Sequence, residues 1–186
     1  HPNVPPFISK QLIQKLVTSN PSPQYVARIA TVFNNNGLGL RGDLKAIVRA
    51  ILLDPEARGA VKLDPAYGKL REPVLLLAAA ARGVNTRSDG VYFGGAVSGL
   101  GQALFYSPSV FNYYPPDYPV PATTLIGPEF AIQNSSTFIN RDNVLNTLAF
   151  GTIAPAPTYP GATGSQPDWT ALQAGAADAN VLADRL

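Results

Sequence analysis

The strongest constraint on the fold is an apolar pattern of helical period between residues 44 and 52. The residues at i, i+3, i+4, i+7 and i+8 of this segment are Leu44, Ile47, Val48, Ile51 and Leu52. These spacings place all of them on one face of an α-helix, and Asp43 stands where an N-cap accepts hydrogen bonds from free backbone N–H groups. Such a face must be buried against other elements, so we expect a helical core.

Similar patterns, bounded by Pro, Ser, Asn and Gly, predict further helices along the chain. The expected helices span residues about 5–18, 23–34, 43–53, 72–82, 95–105, 128–150 and 168–186. Runs that could form strands are short, at residues 91–93 and 123–126, and they do not alternate with helices as a doubly wound sheet requires. We therefore predict a mainly α fold. It is one irregular helical region over residues 1–186, with few or no short strands and a long loop rich in Gly, Pro and Tyr.

That loop is expected at residues 106–127. Disordered segments are poor in aromatic residues, so its aromatic content favours an ordered loop. Its rings are Tyr106, Phe111, Tyr113, Tyr114 and Tyr118. One interpretation is a binding platform for a sugar or an extended chain, because exposed apolar patches often mark binding sites. The other is that the rings cover the core, with each phenol bonded to the backbone.

Composition excludes several classes of function. The net charge is only +2 and no two Lys or Arg residues are adjacent, so nucleic-acid binding is not expected. There is no Cys and a single histidine, His1, which argues against a thiolate or histidine metal site and a cysteine nucleophile. We predict no metal and no cofactor. The longest apolar run is residues 74–81, too short to span a membrane.

The chain contains no Met, and its last predicted helix lacks a terminating Gly, Asn or Pro. Both features predict a fragment of a longer protein.

Two motifs are better explained as structural elements. Gly37, Gly39 and Gly42 match the dinucleotide pattern G-x-G-x-x-G, but they follow a predicted helix, whereas that pattern requires a preceding strand. Asp54 and Asp64 each precede a proline, which is typical of helix caps.

Other carboxylates leave a catalytic interpretation open. Glu129, Asp142 and Asp117 lie near the aromatic stretch, and two of them could flank a glycosidic bond as acid and base. Glu129 and Asp142 form the first pair to consider. The sequence does not establish how far apart they lie.

Three segments in order resemble the C-terminal half of the bacterial domain-of-unknown-function family 1800. They are His1-Pro2 with residues 7–12, residues 44–58 with Leu52-Leu53-Asp54-Pro55-Glu56, and Lys69-Leu70-Arg71-Glu72-Pro73 followed by residues 101–110. The chain departs from the family pattern at Ser107-Pro108-Ser109, where two prolines are common. The resemblance implies a helical, exported protein, periplasmic or extracellular, that is often encoded beside a sulfatase-like partner. It implies no particular reaction and supplies no catalytic residues.

These observations favour a helical module of an exported bacterial protein that acts in binding or assembly. Its partner would be a sulfatase-like protein or a glycan. The alternative is a carbohydrate-active hydrolase with two carboxylates and the tyrosine-rich loop as its sugar platform.

Overall fold

The computed structural model describes residues 1–185, and it confirms the prediction of a mainly α fold. The α-helices are α1 Val4–Leu16, α2 Pro23–Asn34, α3 Leu44–Leu53, α4 Pro55–Arg58, α5 Pro73–Gly83, α6 Val91–Gly99, α7 Ser135–Phe150, α8 Thr170–Gln173 and α9 Ala179–Arg185. Short 3-10 helices span Ala60–Leu63 and Pro128–Ile132. The strands β1 Arg87–Ser88 and β2 Ser165–Gln166 form one antiparallel pair.

Within the described residues, no helix combines the length and the apolar character needed to cross a membrane. The chain divides into two compact units. The first consists of His1–Leu70 and Tyr114–Ala131, and the second of Arg71–Tyr113 and the described residues from Ile132 onward.

The first unit is built around α1, α2 and α3. Its buried core residues are Ile13, Tyr25, Ile29, Phe33, Ile47 and Ile51. On α3 only the centre of the apolar face is buried, because Leu44 and Leu52 at its margins remain exposed. The Tyr25 hydroxyl donates to the Ile51 carbonyl at 2.6 Å, which satisfies a carbonyl near the C-terminus of α3 inside the core.

Side-chain caps define the helix ends of the first unit. Asp43 accepts from the Ala46 N–H at 3.1 Å, and Asp54 accepts from the Glu56 N–H at 2.8 Å. Asp54 is also ion-paired with Arg28 at 2.7 Å. These contacts confirm the capping interpretation of Asp54. The loop between α2 and α3 holds Gly37, Gly39 and Gly42 at positive φ, after a helix as expected.

The second unit packs α5, α6 and α7 around a smaller core. Leu77, Val97 and Leu100 are its buried centre. The Gln102 side chain fixes the start of α5: its Oε1 accepts from the Val74 N–H at 2.9 Å, and its Nε2 donates to Glu72 at 2.7 Å.

Several elements differ from the predicted helices for local reasons. Asp89 accepts from the Val91 N–H, so α6 begins at Val91 rather than near residue 95. It ends at Gly99 because Gly101 adopts a φ of +85°. Residues 91–93, which could have been a strand, therefore lie in a helix.

The expected helix over 128–150 is interrupted. A 3-10 helix ends at Ile132, and Asn134 and Thr137 then form a capping box that starts α7 at Ser135. The expected helix over 168–186 is divided into α8 and α9 by turns at residues 174–177. Its predicted end at residue 186 lies outside the described residues.

The strands also lie at other positions than those predicted. Residues 123–126 form no strand, and Ile126 makes only an isolated bridge to Pro119. The strands occur instead at Arg87–Ser88 and Ser165–Gln166, which pattern analysis did not select because two-residue strands carry no period.

Candidate functional site

The aromatic residues of the predicted loop do not belong to one unit. Tyr106, Phe111 and Tyr113 lie in the second unit, whereas Tyr114 and Tyr118 lie in the first.

In the first unit, Tyr114 is a buried structural residue. The ammonium group of Lys15 lies 4.6 Å from the centroid of its ring, a cation–π contact. Tyr118 is half-buried, and its carbonyl accepts from the Gly127 N–H at 2.8 Å. A Cβ at Gly127 would lie 2.6 Å from the Val120 side chain and 2.7 Å from the Phe130 ring, so a side chain there would force these neighbours to move. This part of the loop covers the first unit.

In the second unit, the loop presents its apolar side chains to solvent. Tyr113 is half-buried and donates its hydroxyl to the Ala103 carbonyl, but Tyr106 and Phe111 are exposed. Three further exposed residues of this loop, Leu104, Phe105 and Val110, were not among the predicted binding residues. Phe105 is 99% exposed and Val110 is 96% exposed. We call residues 104–111 the apolar loop.

The backbone of the apolar loop is unusual at Phe105. This residue has a φ of +64°, in the left-handed region that bulky residues rarely adopt. The sequence around it is also free of charge, because no Asp, Glu, Lys or Arg occurs between Asp89 and Asp117. Ser109 is committed to the loop itself: its Oγ accepts from the Phe111 N–H at 3.1 Å and donates to the Asn112 carbonyl at 3.3 Å.

The carboxylates considered for acid–base chemistry have different environments. Glu129 is 1% exposed, and its Oε1 lies 2.9 Å from the Lys69 ammonium group. Its Oε2 has no hydrogen-bond partner among residues 1–185. The charge of the buried carboxylate is therefore compensated through Oε1, by Lys69. Lys69 is itself fixed by donation to the Lys15 carbonyl at 3.0 Å. This geometry makes Glu129 part of a buried ion pair.

Asp117 and Asp142 are exposed and lie in different units. Asp117 belongs to the first unit with Glu129, whereas Asp142 lies on α7 in the second and accepts from Asn146 at 3.2 Å. Within the described part of the chain, no three His, Cys, Asp or Glu side chains are grouped so that they could hold a metal ion.

Comparison with known proteins identifies a family. The family model described as "Protein of unknown function (DUF1800)" matches residues 1–185. No curated protein and no solved structure matches the chain. The match confirms the resemblance found in the sequence, while the assignment to the C-terminal half of the family stays a prediction.

Proposed function

The chain belongs to this DUF1800 family, and we propose that it is a binding module whose apolar loop docks on an apolar surface of a protein partner. The observation that carries the proposal is Phe105, a fully exposed ring on a left-handed backbone. Left-handed backbone costs a residue with a Cβ about 1–2 kcal/mol. Phe105 gains no burial in return within the described chain. Contact with a partner would supply that burial.

The size of the apolar loop supports a partner surface. Phe105, Val110 and Tyr106 are each at least 81% exposed, and Phe111 adds a further exposed ring. Burial of a large apolar side chain contributes about 1.5–3 kcal/mol, so several such residues could anchor a specific interface. Their mixture of branched aliphatic and aromatic side chains suits an apolar protein surface.

The lack of charge specifies the chemistry of the partner. With no charged residue from position 90 to position 116, the loop offers nothing to an anionic or cationic surface. The hydroxyl of Ser109 is committed to the backbone of the loop itself and is not available to a ligand. Both features favour an uncharged apolar patch on a protein. The exported location and the sulfatase-like partner implied by the resemblance complete the proposal.

The test is a binding titration of this chain against the sulfatase-like protein of the same organism by biolayer interferometry. The double variant Phe105→Ser/Val110→Ser is expected to weaken binding by at least about tenfold, because the loss of 1.4 kcal/mol corresponds to a factor of ten. The matched control is Leu38→Ser/Leu40→Ser, which alters two exposed leucines of the first unit and should leave the Kd unchanged.

Salt provides an independent measurement. The Debye length falls from about 10 Å to about 3 Å between 0.1 M and 1 M salt, so an interface without charges should keep its affinity over that range. A steep loss of affinity with salt, or equal losses in both double variants, would refute docking through the apolar loop. Absence of binding by the wild-type chain would refute the choice of partner.

A further inference from the structure

A polar cleft of about 360 Å³ lies in the second unit, apart from the apolar loop. The residues of the cleft that carry chemistry are Arg87, Gln166, Asp168, Trp169, Thr170 and Gln173. We call this site the Trp169 cleft. Trp169 was expected in the last predicted helix, and no sequence motif pointed to a function for it.

The scaffold beneath the cleft is held by several short hydrogen bonds. Arg87 pairs directly with Gln166 across the antiparallel strands, and directly opposed residues project their side chains on the same face. The hydroxyls of Ser88 and Ser165 lie 2.6 Å apart. One oxygen of Asp89 accepts from the N–H groups of Thr163 and Gly164, each at 2.7 Å. These bonds preorganise the strand face that carries Arg87 and Gln166.

Trp169 also borders a second, apolar environment. It lines a separate apolar cavity of about 380 Å³ with Leu76, Leu145 and Leu148. The half-buried Trp169 therefore borders both the apolar cavity and the polar cleft. An indole at the edge of a polar cleft offers an aromatic face on which a ligand ring can stack.

The charges of the cleft are balanced, and its polar groups differ in how far they are engaged. Asp168 accepts from the Thr170 N–H at 3.0 Å and from the Asn85 amide at 3.4 Å. The side chains of Arg87, Gln166 and Gln173 make no hydrogen bond to other residues of the described chain. Arg87 contributes one positive charge and Asp168 one negative charge, so the lining is neutral overall. Bonds from Thr170 and Asn85 hold the pKa of Asp168 below its ordinary value, so it is ionised near neutrality.

The donor and acceptor pattern matches a ligand rich in hydroxyls. Arg87 only donates, ionised Asp168 only accepts, and the two glutamines do both. A pyranose ring offers hydroxyls that donate and accept, together with an apolar C–H face that can stack on an indole. We propose that the Trp169 cleft binds a neutral saccharide. This function is independent of docking by the apolar loop and involves no reaction.

The chain supplies its own reporter for the test, because Trp169 is its only tryptophan. Emission is followed during titration of the 186-residue chain with cellotetraose, maltotetraose, tetra-N-acetylchitotetraose and, separately, inorganic phosphate. A saturable change with at least one neutral saccharide is expected. Saturation by phosphate without any response to the saccharides would overturn the proposal and indicate an anion site at Arg87. No saturable response to any probe would overturn it as well.

Variants localise the binding. Gln173→Ala, at the exposed end of α8, should raise the Kd by roughly three- to tenfold through loss of amide hydrogen bonds. The matched control is Gln24→Ala, an exposed glutamine of α2 in the first unit, for which the Kd should stay within about twofold. Trp169→Ala removes the reporter, so its binding is measured by calorimetry and should be abolished. Equal Kd values for both glutamine variants would refute the assignment to this cleft.

Discussion

Replacement of Phe105 by glycine is expected to stabilise the chain although it removes a large apolar side chain. The ring is 99% exposed, so its loss forfeits almost no burial. The φ of +64° costs a residue with a Cβ about 1–2 kcal/mol, and glycine is free of that cost. Glycine also makes the unfolded chain more flexible, which offsets about 0.5–1 kcal/mol. The midpoints of these two ranges give a net gain in the free energy of unfolding of about 0.75 kcal/mol, within a span of about 0–1.5 kcal/mol.

Urea denaturation and thermal melting measure this change. For a chain of this size the Tm should rise by about 2–3 °C. Phe105→Ala keeps the Cβ and the strain, so it should change stability by less than about 0.5 kcal/mol. Phe150→Gly is the matched control, because Phe150 is 88% exposed but ends helix α7. It should lose up to about 1 kcal/mol of stability. A loss for Phe105→Gly as large as that for Phe150→Gly would refute the argument from backbone strain.

Two further predictions concern the first unit. Tyr25→Phe should lower the free energy of unfolding, measured in urea, by about 1 kcal/mol. The reason is that the Ile51 carbonyl would keep only the long bond from the Asp54 N–H at 3.4 Å. An unchanged stability would contradict a structural role for the Tyr25 hydroxyl. The Arg28 guanidinium lowers the pKa of Asp54 below the ordinary 3.8. The ionised carboxylate therefore contributes stability that is present above pH 3.8 and is lost as the pH falls through the lowered pKa. Asp54→Asn should therefore be less stable than wild type near neutrality, and urea titrations at decreasing pH should show the difference shrinking below about pH 4. A difference independent of pH would exclude this linkage.

Helices with strong local signals were predictable from the sequence. Pro23 after a serine cap predicted the start of α2, and Asn35 and Asn36 with Gly37 predicted its end. The limits of α6 were not predictable in this way. They depend on a bond from Asp89 and on the left-handed backbone of Gly101, neither of which alters the apolar period.

Burial was less predictable than the helices, because similar apolar residues can be either buried or exposed. Leu44 and Ile47 belong to the same apolar pattern, yet only Ile47 is buried. In the aromatic stretch, Tyr114 is buried under Lys15 whereas Tyr106 is exposed, and the unit boundary that separates them has no sequence marker. A pattern reports which side chains are apolar, but burial depends on packing between distant segments.

Both proposed binding surfaces lie in the second unit. The carboxylates of the first unit are weaker candidates for a functional site. Glu129 has Lys69 as a buried partner, and removal of that partner would leave an uncompensated charge, so the pair is constrained by folding. Phe105 and Trp169 have opposite characters: the first is exposed at a cost in backbone strain, and the second is half-buried beside the polar side chains of Arg87, Gln166 and Gln173. Burial of the Phe105 ring in an interface would offset the first cost, and a ligand in the cleft would use the second set of groups. Because the two surfaces use different chemistry, Phe105→Gly should weaken protein docking without changing the Kd of a saccharide at the Trp169 cleft. Gln173→Ala should weaken saccharide binding without changing the Kd of protein docking.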